Sequence, residues 1–151
     1  MVKDLRAKTS AGMMDCKKAL SATDGDMDAA TEWLRKQGLG AAAKKAGKVA
    51  AEGTIAIKVG DDRIVLAEIN SQTDFVAQND KFKSFVAEVV AHAFDNNIND
   101  AEALNASEIN DQPFAEYLSL QISTIGENMV ARRLATIDSD ANSAVNGYVH
   151  A

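Results

Sequence analysis

The sequence is poor in the residues that staple or anchor a chain. Cys16 is its one cysteine, which excludes an intrachain disulfide and gives no reason to assign an oxidising compartment. Aromatic residues make up 5% of the 151, so any core must be aliphatic and alanine-rich. No apolar run approaches the length of a membrane-spanning helix, and Met1-Val2-Lys3-Asp4 opens nothing like a signal peptide. A cytoplasmic chain with no membrane partner is the expectation. Net positive charge is missing too: the formal charge of −6 argues against direct nucleic-acid binding driven by phosphate neutralisation. With two histidines and one cysteine, there is little material for a metal site or a Cys–His dyad. Cys16 lies on an apolar helical stripe and reads as a packed thiol. His92 sits within a buried-type helix, whereas His150 has nothing nearby in sequence to pack it.

What is present is ordinary for a globular protein, with 46% hydrophobic and 25% charged residues, enough for one domain plus a small module. The charge is unevenly spread. Residues 1–52 carry ten Lys and Arg against seven Asp and Glu, a balance of +3 that leaves −9 for the remainder. A basic front and an acidic back suggest two units.

The first unit, residues 1–39, reads as three short helices. Val2 and Leu5 share one side of the first, and Ser10-Ala11-Gly12 breaks it. After the bulky pair Met13-Met14, Asp15 is expected to cap a second helix with Cys16, Ala19 and Leu20 inward. Asp26 caps a third, with Met27, Ala30 and Leu34 on one face and Gly38 expected as its stop. Residues 40–52 are rich in Ala and Lys, with helix propensity but no apolar stripe, and read as a solvated, semi-rigid connector.

From residue 53 the period changes. Ile55, Ile57 and Val59 alternate with Thr54, Ala56 and Lys58, Gly60-Asp61-Asp62 turns, and Arg63 to Asn70 is a second strand, so the pair forms a hairpin. Thr73 and Asp74 are placed to cap a helix start, with Phe75 directly behind them. An aromatic there either staples the helix start or protrudes as a contact residue. The next helix already completes its stripe with Phe82, Phe85, Val86, Val89 and Ala93, so it does not need Phe75. A polar stretch follows, with a short helical turn near residues 101–104. Pro113, the only proline, then suits the first turn of a helix that aligns Phe114, Leu118, Ile122 and Ile125 and ends at Gly126. Val130 to Ile137 reads as a third strand, and residues 145–151 as the beginning of another.

Calcium-loop and dinucleotide-loop look-alikes fail on position. Asp95–Asp100 has Asp100 where the turn glycine belongs and Ala106 where a bidentate Glu belongs. Gly38-Leu39-Gly40 follows a helix rather than a strand.

Three motifs, in order and near the expected spacing, resemble one family. Gly12-Met13-Met14-Asp15-Cys16-Lys17-Lys18-Ala19-Leu20, Thr73-Asp74-Phe75-Val76-Ala77, and Ile125-Gly126-Glu127-Asn128 followed by Arg132-Arg133 are similar to bacterial translation elongation factor Ts, over essentially the whole chain. The departure is mild: Gln78 stands where a basic residue is common, which is expected to tune function. The resemblance implies an α+β chain. Its front would be a three-helix ubiquitin-associated-like module, and residues 53–151 an N-terminal core subdomain with a small antiparallel sheet packed on helices. It also implies that further core and helical parts follow in the family, so this chain is expected to be a truncated portion.

The implied function is guanine nucleotide exchange on elongation factor Tu, without covalent chemistry and without a cofactor of its own, since the GDP and magnesium belong to the partner. Asp74 and Phe75 are implied to enter the GTPase domain, with Phe75 as a wedge. Leu5, Arg6, Met13, Met14 and Lys17 match positions that dock on the same domain, and Ile125, Gly126 and His150 match further contacts. The competing reading is an interaction module that binds without completing exchange.

Overall fold

Residues 1–150 are described by the computed structural model. The chain opens with α1 (Val2–Thr9), α2 (Met13–Ala22) and α3 (Met27–Lys45). Leu5, Cys16, Ala19, Leu20, Ala30 and Leu34 close a small core between them, with Val2, Ala11, Met27 and Trp33 at its margin. Asp26 caps α3, its carboxylate accepting the Asp28 and Ala29 N–H groups at 2.9 and 2.8 Å. Asp15 is not the cap of α2. That helix starts three residues earlier than expected, from a Gly12 cap, and Asp15 falls in its first turn, where its charge favours the positive end of the helix dipole.

Gly38 does not end α3. The helix runs on through Gly38 and Gly40 to Lys45, and the expected start of the connector falls inside it. The reason is packing. Gly38 is buried against α7 (Phe114–Ile125), so closely that a Cβ there would stand 2.9 Å from Leu120 Cδ2. Arg35 binds Glu32 through Nε and Nη2, both at 2.7 Å, and also pairs with Glu116 of α7. Arg35 holds the Glu32 carboxyl down at about 2, well below the usual range. Leu34 therefore lies in the front core and Ala42 of the same helix in the second core. The residues after α3 are stitched down rather than free: Ala50 is buried, and Arg132 donates to its carbonyl at 3.1 Å.

The second unit is built on a three-stranded antiparallel sheet in the order β1 (Glu52–Val59), β2 (Arg63–Ser71), β5 (Met129–Asp138). Between β2 and β5 the chain forms α4 (Asp74–Ala77), α5 (Asp80–Asp95), α6 (Ala101–Asn105), and a two-residue hairpin, β3 (Glu108–Ile109) with β4 (Gln112–Pro113), which leads into α7. Asn110 and Asp111 turn that hairpin with φ of 52° and 60°, the left-handed pair of a type I′ turn.

The expected stripe of α5 is buried throughout and packs on Val65, Ala67 and Ile69 of β2 and on Met129 and Ala131 of β5. From α7, Phe114, Tyr117 and Ile122 join it, with Tyr117 packed 5.8 Å from Phe85 and 6.4 Å from Phe114 between ring centroids. Each buried Phe in this layer contributes about 1.5–3 kcal/mol relative to exposure. A bulge between Glu68 and Ile69 leaves Arg132 of β5 unpaired, which frees its guanidinium to reach Asn70 and Ala50. Gly53, at φ 132°, lets β1 approach β2 where a Cβ would collide with the Ile69 carbonyl.

The apolar alternation of β1 faces away from the helices. Ile57 pairs with Leu66 and Val59 with Ile64, on the outer side, while Ala56 packs inward. The tail crosses this outer face. Ser139 N–H donates to Asp62 O at 2.7 Å, and Gly147 lies against Ile57 and Ile64. The expected strand at 145–151 does not form in residues 145–150, which have no regular structure, and Ala151 lies outside the described residues. Val145, Tyr148 and Val149 have strand propensity, but propensity without a ladder partner leaves backbone groups unpaired.

Candidate functional site

The site grows from the end of β2. Ser71 is fully buried and its Oγ donates to the Thr73 carbonyl at 3.0 Å, turning the chain out of the sheet. Thr73 is extended, with φ −125° and ψ 154°, and its Oγ1 accepts the Val76 N–H at 3.3 Å. A single helical turn follows. Val76 and Ala77 face the core and hold that turn down. Asp74 and Phe75 face out, with the Phe75 N–H donated to Asp74 Oδ1 at 2.9 Å. Phe75 is 83% exposed. A staple would bury the ring, so what the turn presents is a protruding aromatic side chain.

The segment after α7 meets this turn from the side. Gly126 ends α7 in the left-handed region, at φ 96°, and its N–H returns to Ile122 O at 2.9 Å. Glu127 then accepts the N–H groups of Gln72 and Thr73 at 3.1 and 3.0 Å and the Thr73 hydroxyl at 2.6 Å. The Asn128 N–H donates to Gln72 Oε1 at 2.7 Å. The residues that follow Ile125 and Gly126 are thereby bonded to those that precede Asp74 and Phe75, across 54 to 56 positions of sequence. Ile125 is half-buried against the core, and Gly126 is exposed.

His150 is exposed and borders, with Val149, a shallow recess formed by residues 51–55, Glu68 and Asn70. Glu52 pairs with Ser71, so this recess lies at the sheet end from which the 72–75 turn departs.

The front module contributes a separate surface. Met13 and Met14, on the first turn of α2, are 52% and 63% exposed, with Lys17 and Arg6 also open to solvent. Leu5 corrects the expectation: it is fully buried among Cys16, Ala19 and Leu34, and its side chain supports the module rather than reaching a partner. Cys16 is likewise buried and free.

Among the described residues, no group of three His, Cys, Asp or Glu could hold a metal ion, and no helix is long and apolar enough to cross a membrane. The half-buried histidine of α5 is spoken for. His92 Nε2 lies 2.9 Å from Ser107 Oγ, whose own proton goes to Leu104 O at 2.7 Å. What the site offers is shape: an aromatic, a carboxylate and two methionines held outward on rigid supports. The bonds from Gln72, Thr73, Glu127 and Asn128 were not expected from sequence, where only the adjacency of Gly126 to two polar residues before a strand hinted at a bound turn.

The model of the family described as Elongation factor TS matches residues 72–151. Three relatives named Elongation factor Ts align with nearly all of the chain. The protein of Sulfurovum sp. (strain NBC37-1) is 66% identical over 99% of the chain, that of Aliarcobacter butzleri 53% over 100%, and that of Campylobacter curvus 51% over 99%. The chain covers 42–43% of the length of these relatives, less than half of each. With the family model spanning more than half of it and two of its three sequence motifs meeting around one turn, the chain belongs to the elongation factor Ts family.

Proposed function

We propose that the chain is the partner-engaging portion of a guanine nucleotide exchange factor for elongation factor Tu, with no covalent chemistry and no cofactor of its own. The observation that carries this reading is Phe75, a large aromatic left almost wholly in solvent on a turn that is bonded down on both sides. Such a ring is costly to expose and has no use in this chain's own core. Phe75 enters the GTPase domain of the partner, Asp74 accompanies it, and the displacement disturbs the partner's magnesium and phosphate contacts. Met13, Met14, Arg6 and Lys17 dock the front module on the same domain, and Ile125, Gly126 and His150 widen the contact.

The energetics need no catalytic side chain. An exchange factor binds the nucleotide-free partner more tightly than the loaded one, and by linkage the nucleotide is weakened by the same factor. A nanomolar nucleotide is held by about 12 kcal/mol, and loosening it by three decades takes about 4 kcal/mol. Burying the Phe75 ring supplies about 1.5–3 kcal/mol of that, and the remaining contacts supply the rest.

The test is stopped-flow release of a fluorescent GDP from elongation factor Tu. The chain is expected to accelerate release, and Phe75→Ala to lower the maximal rate by about 100-fold, the equivalent of roughly 3 kcal/mol, with an unchanged thermal melt. Equal rates for the two proteins would overturn the wedge. Tight binding without acceleration would favour the second reading, an interaction module that does not complete exchange.

A further inference from the structure

We propose that Glu127 is the positioning residue of the Phe75 turn, and that with Asn128 it forms a clasp joining that turn to the end of α3. The functional half of this inference rests on the exchange reading above; the positioning half does not. Gln72 and Thr73 have left the β2 ladder and precede the α4 turn, so their N–H groups have neither strand nor helix partners. One carboxylate takes both, at 3.1 and 3.0 Å, and its other oxygen takes the Thr73 hydroxyl proton at 2.6 Å. The charge strengthens each bond. Thr73 Oγ1 is thus fixed as a donor to Glu127 while it accepts from Val76, so the cap of the turn and the carboxylate form one chain of bonds.

The clasp closes on the other side through Asn128, which is only 5% exposed. Its N–H donates to Gln72 Oε1 at 2.7 Å, and its Nδ2 donates to Lys48 O at 2.7 Å and Ala46 O at 3.5 Å. Two adjacent residues therefore hold the presenting turn with one pair of hands and the segment after α3 with the other. Loss of the carboxylate frees the turn without removing any side chain from the hydrophobic layer, because Glu127 contributes nothing to that layer.

Glu127→Ala removes all three acceptor bonds, and Glu127→Gln, the conservative variant, keeps one oxygen for the two N–H groups. Hydrogen exchange decides the positioning. In Glu127→Ala the amides of Gln72 and Thr73 are expected to exchange at least tenfold faster, those of Val86 and Val89 in α5 at the parent rate, and Glu127→Gln is expected to restore most of the protection. Unchanged exchange at residues 72 and 73, or an equal rise in α5, would overturn the proposal. Glu127→Asp, which withdraws the carboxylate by one methylene from the Gln72 and Thr73 amides, is read at the same amides in the same way should Glu127→Ala fail to fold.

GDP release from elongation factor Tu tests the route of action. Glu127→Ala is expected to lower the maximal rate at saturating protein about tenfold, whereas partial unfolding would raise only the concentration needed for saturation. In a Phe75→Ala background the same substitution is expected to change nothing. A tenfold loss that persists without Phe75 would overturn action through the turn. Failure of the exchange reading is separately visible, because parent and Phe75→Ala would then release alike while hydrogen exchange still decides the positioning.

Discussion

Replacing Gly38 and Gly40 of α3 by alanine, one at a time, separates helix propensity from helix packing. Alanine in a helix interior is worth about 1 kcal/mol over glycine. At Gly40 a Cβ meets nothing within 4 Å, so Gly40→Ala is expected to stabilise the protein by most of that amount. At Gly38 the Cβ stands 2.9 Å from Leu120 Cδ2 and 3.6 Å from Ser123 Cβ and Oγ. The end of Leu120 can swing aside, at an off-rotamer cost of about 0.5–1.5 kcal/mol, which cancels the gain. Gly38→Leu drives further carbons into α7, and overpacking of that kind costs about 1–3 kcal/mol more. For a chain of this size each kcal/mol moves the melting temperature by roughly 2–4 °C. Thermal melts followed by circular dichroism should therefore place Gly40→Ala above the parent, Gly38→Ala level with it, and Gly38→Leu below. A Gly38→Ala gain equal to that at Gly40, or a Gly38→Leu variant as stable as the parent, would refute the close approach of α3 to α7.

Gly53→Ala should be far worse than either, because φ 132° suits glycine and the clash is with backbone, Ile69 O at 2.2 Å and Asn70 Cα at 2.6 Å. A loss of at least about 3 kcal/mol in urea unfolding is expected, and a variant within about 1 kcal/mol of the parent would refute the β1–β2 register. His92 makes stability fall with acid. Burial lowers its pKa from the ordinary 6.5, against an opposing pull from Asp95, and Nδ1 already accepts from Asn96 Nδ2 at 3.1 Å. Its contribution is thus complete above pH 6.5 and is lost as pH falls through the lower folded value. An NMR titration midpoint at or above 6.5, or an unchanged slope in His92→Gln, would count against it.

Legibility followed the range of the interaction that decides each element. The α5 stripe could be read because Phe82, Phe85, Val86, Val89 and Ala93 state their burial by period alone. That completeness also exposed Phe75 as surplus. Gly38 misled because a glycine that lets two helices touch looks, in one dimension, like a glycine that ends one. Leu5 was given a partner contact by the family resemblance, yet the three-helix core claims it. The β3–β4 hairpin has strands too short for any period, although its Asn110-Asp111 turn was a usable signal. Asp15 lay one helical turn inside the start because Gly12, with no capping side chain, takes that place. The Glu127 and Asn128 bonds were out of reach, since nothing local to residue 127 names partners at 72, 73 and 48.

Helix α3 has a consequence for avidity. Its 19 residues make a rod about 28 Å long whose first part packs in the core of the module that bears Met13 and Met14 and whose end leads directly into Ala46 and Lys48, which Asn128 grips. Two contacts joined by a floppy tether would face an effective concentration set by the tether's wandering, in the millimolar range for short flexible chains. Joined by a packed helix, the methionine pair and the Phe75 turn keep one relative orientation. For a partner that meets both, the second engagement requires no search, and the entropy of that search was spent when the chain folded.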